Sequence, residues 1–310
     1  MTALDRPLRS VILAAAGNAA IQRAVSRYGM RLGARRFVAG ETAAEFLAAA
    51  KRLNARGFAV AGGLLGEGVH HAAEASAAAD VYCDLLRSCA RNGYDANAAF
   101  KPTHVGLAID LELALENASR IAAAAAESGT AVRLDMEQSA YVDRTLELYR
   151  RLRARFDNVG FALQSCLHRS AADLDAILPL EPNVRLVKGA YLEPAAIAFA
   201  RKSDVDAAYL RLAEAALGRP GYTAIATHDL RIIEAVKAIA RRKDLPLQGR
   251  FEFQMLYGIS GTPAERLLEQ GYRVRIAVPF GTHWFPYLMR RLAERPANLA
   301  FVVQGALGRS

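Results

Sequence analysis

The sequence predicts an α/β chain folded as a closed (βα)8 barrel, and three observations lead there. Eight short apolar or β-rich runs start about 23–43 residues apart, the length of a strand plus its returning helix. Amphipathic helical stretches fill the intervals. Nearly every run finishes in a polar or charged residue, and in a barrel the C-terminal strand ends gather such groups at one rim. Eight units of this kind favour a closed barrel over an open doubly wound sheet.

The runs occupy 57–66, 99–103, 131–135, 159–165, 184–190, 223–227, 250–256 and 273–278. In that order the rim collects Glu67, Lys101, Asp135 and Gln164. It continues with Lys188 and Tyr191, then Thr227-His228-Asp229, then Gln254. A single polar residue at a strand end is ordinarily a cap or a turn; its recurrence from strand to strand carries the argument. Helical patterns fall at 111–127, 141–156, 204–217, 230–242 and 263–270. Gly129, Gly160, Gly221, Gly249 and Gly271 are placed just before strands, where a helix has to stop. Residues 1–40 read as an N-terminal helical arm and 41–310 as one catalytic domain, because no Pro/Ser-rich linker divides the rest. The apolar stretch 11–16 faintly imitates a signal peptide, but Ala19, Ile21 and Val25 continue a helical pattern.

Within the fifth run, period two puts Arg185, Val187, Gly189 and Tyr191 on one face. A guanidinium inside a barrel strand is costly unless an anion or acceptor meets it, and a polar cofactor would serve. After the eighth run, the turn-rich 279–286 leads into a helix bearing Tyr287, Arg290, Arg291 and Glu294. Arg290 and Glu294 at i,i+4 are consistent with a plain surface ion pair, worth under ~1 kcal/mol. The functional alternative is a guanidinium clamp for a carboxylate. Consecutive arginines diverge by about 100° on a helix, so both reach one small anion only if that last helix lies across the barrel mouth.

The formal net charge is +9, and the hydrophobic fraction of 53% supports a globular fold. The Arg clusters at 150–155 and 241–243 read as solvated helix faces, and no aromatic interleaving suggests a nucleic-acid groove. Cys83, Cys89 and Cys166 show no metal or disulfide spacing and read as reduced thiols of a cytoplasmic protein. No run approaches the ~20 apolar residues of a membrane span. There is no Gly-x-Gly-x-x-Gly, Walker loop or Gly-x-Ser-x-Gly elbow, and His70, His71 and His228 lack metal-ligand partners at helical spacing.

The chain resembles the proline dehydrogenase family, flavin-dependent barrel enzymes found as short bacterial proteins and as a domain of the bifunctional proline-utilisation flavoprotein. The matching segments are 36–42, Leu64-Leu65-Gly66-Glu67, Arg133-Leu134-Asp135-Met136-Glu137, Leu163-Gln164-Ser165, 185–191, Ala226-Thr227-His228-Asp229, 251–258 and 287–298, in order along the chain.

The resemblance implies a distorted barrel holding FAD noncovalently over the strand ends. Met136, Gln164, Arg185, Lys188, Gly189, Ala190, Thr227, His228 and Gln254 would line the cofactor. Lys101, Asp135, Tyr191, Ala277, Arg290 and Arg291 would surround the substrate, with Asp135 and Arg185 as the catalytic residues. Glu67 would pair with Arg290 as a lid, and Glu294 would hold the clamp helix or touch the flavin. The implied reaction is oxidation of a cyclic secondary amine by hydride transfer to flavin N5. Electrons would pass to membrane quinone through a peripheral contact at the inner membrane face.

Two positions depart from the family pattern. Ala277 stands where a Tyr usually precedes Val-Pro, and Cys166 where a Tyr follows Leu-Gln-Ser/Ala. Both losses suggest a roomier pocket and acceptance of 4-hydroxyproline or another bulkier cyclic amine. A Schiff-base lyase using Lys101 or Lys188 also suits a barrel with rim lysines, but leaves the paired arginines without a task. A non-catalytic ligand-binding relic is the third reading.

Overall fold

The computed structural model describes residues 34–259 and 261–294, without the side chains of 292–294. Eight parallel strands follow one another around a closed barrel. They are β1 (Ala59–Leu64), β2 (Ala96–Phe100), β3 (Val132–Leu134), β4 (Val159–Gln164), β5 (Asn183–Val187), β6 (Tyr222–Ala226), β7 (Phe251–Leu256) and β8 (Val274–Phe280). The seam is the longest ladder: β8 lies beside β1 in register from Ala59↔Arg275 to Leu64↔Phe280, whereas β1 and β2 pair only from Val60↔Ala96 to Gly62↔Ala98.

Helix α1 (Ala43–Asn54) precedes β1. Then α2 (Ala72–Arg91), α3 (Leu111–Glu127), α4 (Val142–Arg153), α5 (Ser170–Ile177), α6 (Lys202–Leu217), α7 (Leu230–Arg242), α8 (Gly261–Glu269) and α9 (Trp284–Glu294) each follow a strand. Local chemistry starts several of them. Thr42 and Glu45 form a capping box on α1, and Asp110 and Asp229 cap α3 and α7 through their carboxylates. The Arg-rich surfaces are ion-paired helix faces: Arg151 meets Glu112 through two bonds of 2.5 and 2.9 Å, and Arg242 meets Glu214 at 2.5 Å.

Two expectations need correction. The second strand begins three residues earlier than the apolar run suggested, so Lys101 stands just beyond its end. Gly160 lies inside β4 rather than before it: a Cβ there would sit 2.4 Å from the Asn183 carbonyl oxygen, so the residue permits close strand approach. The other four glycines do turn the chain with positive φ.

Strand period two sorts the barrel into two environments. Val60, Phe100, Phe161, Ile225 and Ile276 point into the apolar core shared with the helices. Ala61, Ala99, Ala162, Ala226 and Ala277 face a central cavity instead. Small side chains keep that bore open, and charged side chains fill its lower part. Glu252, 1% exposed, accepts from Arg275 Nε at 2.8 Å, Gln254 Nε2 at 2.5 Å and Tyr222 Oη at 3.2 Å. Burial alone would raise the Glu252 pKa; Arg275, then Arg133, hold it down to about 2.

The N-terminal arm falls mostly outside the described residues. Its end, Ala34, Phe37 and Val38, is buried in a separate apolar cluster with Trp284, Phe285, Leu288 and Met289 of α9. Ala39 N–H donates to Pro279 O at 2.9 Å and Trp284 Nε1 to Glu41 Oε1 at 2.9 Å. These contacts seat α9 over the end of β8, so the last helix lies at the mouth, with Tyr287, Arg290 and Arg291 on the cavity wall. Cys83 and Cys89 are buried free thiols of α2. Among the described residues no helix is long and apolar enough to cross a membrane.

Candidate active site

A cavity of about 910 Å³ opens at the C-terminal end of the barrel. Met136, Gln164, Arg185, Lys188, Gly189 and Ala190 lie on its wall, as do Thr227, His228 and Gln254. Lys101, Asp135, Tyr191, Ala277, Arg290 and Arg291 share the same space. Glu67 stands at its edge, bonded to two of those residues. The side chain of Glu294 lies outside the described residues.

At the deep end, Arg185 Nη2 donates to Asp135 Oδ1. Burial, with Arg133 close by, pushes Arg185 down to about 9, so it remains a cation at neutral pH. Its Nε and the Oε1 of Gln254 are buried without a protein partner. A donor and an acceptor left so are costly unless a ligand meets them. Gln164 is fixed by its Nε2–H bond to Glu137 O at 2.8 Å. Beside it Gly189, at φ +111°, leaves no room for a side chain: a Cβ would come within 2.3 Å of Cys166 Sγ and 3.2 Å of Gln164 Oε1.

Toward the mouth, Lys188 Nζ is held by Asp206 at 2.7 Å and Asp229 at 3.0 Å, and Lys202 joins both carboxylates. Leu256 N–H donates to His228 Nε2 at 3.0 Å, which leaves Nδ1 to carry the proton of the neutral ring.

Above the cavity, Glu67 bridges two cations. It accepts from Lys101 Nζ through Oε2 and from Arg290 Nη1 at 3.0 Å through Oε1. Burial works to raise the Glu67 pKa, but Lys101 and Arg290 together outweigh it and the carboxyl is held low. The Lys101 amine is shifted down as well, since burial and the neighbouring Arg290 charge exceed the pull of Glu67. Arg290 thus attracts one member of the pair and repels the other. The Arg291 guanidinium lies 5.3 Å from the Tyr287 ring centroid. Burial raises the Tyr191 phenol, with Glu137 and Glu67 adding to it, so it stays protonated.

The family model described as "Proline dehydrogenase" matches residues 46–304. The chain belongs to the proline dehydrogenase family. It is 41% identical over 300 residues to "Proline dehydrogenase 1" of Bacillus subtilis subsp. natto, covering 97% of this chain and 99% of that protein. It is 41% identical over 309 residues to "Proline dehydrogenase" of Deinococcus radiodurans, covering 98% and 99%. Among solved structures, proline utilization A (PutA) from Bdellovibrio bacteriovorus inactivated by N-propargylglycine superposes with a TM-score of 0.80 at 21% identity. That match covers 97% of this chain and 40% of the larger one, and it bears on the fold alone.

Against the family pattern, one of the two substituted positions lies where sequence reasoning put it. Ala277 faces the cavity, whereas Cys166 is not on its wall but packs behind Gly189. Of the two substituted positions, then, Ala277 alone borders the cavity. Sequence reasoning missed Tyr82 and Thr103 near the mouth, Lys202 and Asp206 around Lys188, and the buried Glu137. Only Glu137 carried a signal, an acid directly following Asp135-Met136 in a family-matching segment.

Proposed function

We propose that this protein oxidises L-proline, or a close cyclic imino acid, to the pyrroline carboxylate using FAD. The observation that carries the reading is the placement of Lys101, Arg290 and Arg291 in one cavity with the Asp135–Arg185 pair. The first group suits a substrate carboxylate, the second the reacting end. Two cations on Glu67 leave net positive charge at that point, enough to attract a second carboxylate.

The deep wall fits a flavin. Arg185 Nε is a donor and Gln254 Oε1 an acceptor, both without a protein partner, and a flavin edge presents groups of both kinds. Met136, Gln164, Arg185, Lys188, Gly189, Ala190, Thr227, His228 and Gln254 would hold it. When bound, FAD supplies the acceptor for the hydride on the carbon next to the ring nitrogen. Asp135 fixes the Arg185 fork, so that a permanent cation faces the developing negative charge. Tyr191 packs the substrate as a neutral phenol. Glu67 with Arg290 closes the mouth and excludes water.

Electrons leave for membrane quinone in this reading, with the protein cytoplasmic and peripheral at the inner membrane face; the net charge of +9 supports approach to anionic lipid. A second substrate, 4-hydroxyproline or another bulkier cyclic amine, is favoured by Ala277 on the cavity wall. The Schiff-base alternative is disfavoured, because Lys188 is held between two carboxylates and Lys101 by Glu67, so that both amines are already engaged in ion pairs.

Anaerobic titration of the purified yellow protein tests the proposal. L-Proline should bleach the flavin absorbance, with 4-hydroxyproline as the comparison. A colourless protein, or a flavin untouched by every cyclic amino acid, would overturn it.

A further inference from the structure

Glu137 sits in a family-matching segment yet has no role in the chemistry above. It is 2% exposed, a carboxylate in a setting that ordinarily excludes one. Burial raises its pKa, opposed by bonds from Thr103 and then by the charge of Lys101. Its two oxygens are spent on a single residue: Thr103 N–H donates to Oε2 at 2.9 Å and Thr103 Oγ1–H to Oε1 at 2.7 Å.

Thr103 is where two parts of the mouth meet. It belongs to the short turn Pro102–Val105 that follows Lys101 directly. Its hydroxyl oxygen also accepts from Gly68 N–H at 3.1 Å, the residue after Glu67. Because the Thr103 proton is given to Glu137, the oxygen is left to accept from Gly68. Under the same segment lies His104, whose ring would collide at 2.3 Å with any Cβ on Gly66. At its other end Leu64 N–H donates to Tyr82 Oη at 3.1 Å. The strap 64–68 is thus tied at both ends, with Glu67 between the ties.

We propose that Glu137 is a positioning residue for substrate capture: through Thr103 it fixes both the turn carrying Lys101 and the strap carrying Glu67, and so sets where Glu67 meets Lys101 and Arg290. The segment bearing Glu67 is on this account a fixed stop, and α9 with Arg290 is the part that comes to it. The proposal rests on the functional reading above, which makes this place the carboxylate site.

Three variants test it: Glu137→Gln, Thr103→Val and Thr103→Ser. In Glu137→Gln an amide cannot accept on both sides, and in Thr103→Val the hydroxyl is gone, while Thr103→Ser keeps it. Amide hydrogen exchange of residues 64–71 in the intact flavoprotein is the first readout, and it needs neither substrate nor turnover. The second is binding of cyclopentanecarboxylate, a cyclic acid without an oxidisable amine. The third separates KM from kcat for L-proline.

Glu137→Gln and Thr103→Val should each speed Gly68 exchange, weaken cyclopentanecarboxylate and raise KM about tenfold, with kcat within about threefold and flavin content unchanged. Thr103→Ser should match the parent. Unchanged exchange and binding in both variants would overturn the proposal, as would loss of flavin with KM unaltered. If Glu137→Gln does not fold, the contrast between Thr103→Val and Thr103→Ser decides alone. A parent protein that binds cyclopentanecarboxylate but is not reduced by proline overturns the functional reading and leaves the exchange result to judge Glu137.

Discussion

Glu67 and Arg290 meet at 3.0 Å although 223 residues separate them in the chain. One arrives on the connection after β1, the other on the helix after β8, and barrel closure makes these neighbours. The contact joins the two sides of the cavity mouth.

Removing that contact should be felt in substrate capture. Glu67→Gln keeps the size of the side chain but removes its charge from Lys101 and Arg290. A hydrogen bond to a charged group is worth about 1.5–3 kcal/mol, so KM for L-proline should rise about tenfold or more. Steady-state kinetics at fixed ionic strength measures this. An unchanged KM would show that the pair does not take part in closure.

Filling the cavity at Ala277 should sharpen selection against bulk. Ala277→Tyr restores the ring usual in the family at a position on the cavity wall. The ratio of kcat/KM for proline over 4-hydroxyproline should increase about tenfold, within the 1–3 kcal/mol that a pocket contact supplies. A ratio that stays put would mean that neighbouring side chains already fill the space.

Glu252 carries the lower part of the barrel. Glu252→Gln leaves Arg275 and Arg133 buried with less compensation, and unfolding free energy should fall by about 3–5 kcal/mol. In the parent protein its folded pKa, about 2, lies below the ordinary 4.5. A depressed carboxyl stabilises the fold fully above the ordinary value, and the contribution is lost as pH falls from 4.5 toward 2. Denaturant titrations across that range should show the slope in the parent and lack it in the variant.

His104 adds a second window. Burial, then Lys101 and His283, lower it from 6.5 to about 4, so the folded protein holds it neutral. Stability from this group is complete above 6.5 and declines as the solution is acidified toward 4. The full loss is about 3 kcal/mol. Melting temperature against pH should show this decline, and His104→Phe should flatten it. The same slope in both proteins would assign it to other groups.

The barrel was legible because strand-plus-helix spacing and terminal polar residues survive in one dimension. The α3 and α7 limits follow directly from Asp110 and Asp229 as caps and from the helical periodicity that follows each. β2 was displaced because Asn97 faces the bore and broke the apolar run that marks a strand. Gly160 misled for a related reason: before a strand and inside one, glycine looks alike until the neighbouring strand is placed. The cavity residues could be collected from strand ends, but their pairings could not. Glu137 finds Thr103 34 residues away on the connection after the neighbouring strand, and Arg290 meets Glu67 over the seam between β8 and β1, contacts that appear only once the strands are placed side by side. Whether Glu294 competes for Arg290 falls outside the described residues.

The ladder between β1 and β8 sets a condition on biosynthesis. Its partners stand at opposite ends of the catalytic sequence, so a nascent chain carries an unpaired β1 edge until β8 has emerged from the ribosome. Such an edge invites wrong partners. The long seam makes the last ring-closing step the best rewarded, and it joins the two strands farthest apart in the chain. Circular permutants that place β1 after β8 hand that wait to β2, whose ladder with β1 runs only from Val60↔Ala96 to Gly62↔Ala98, and should yield less soluble protein from the same number of chains.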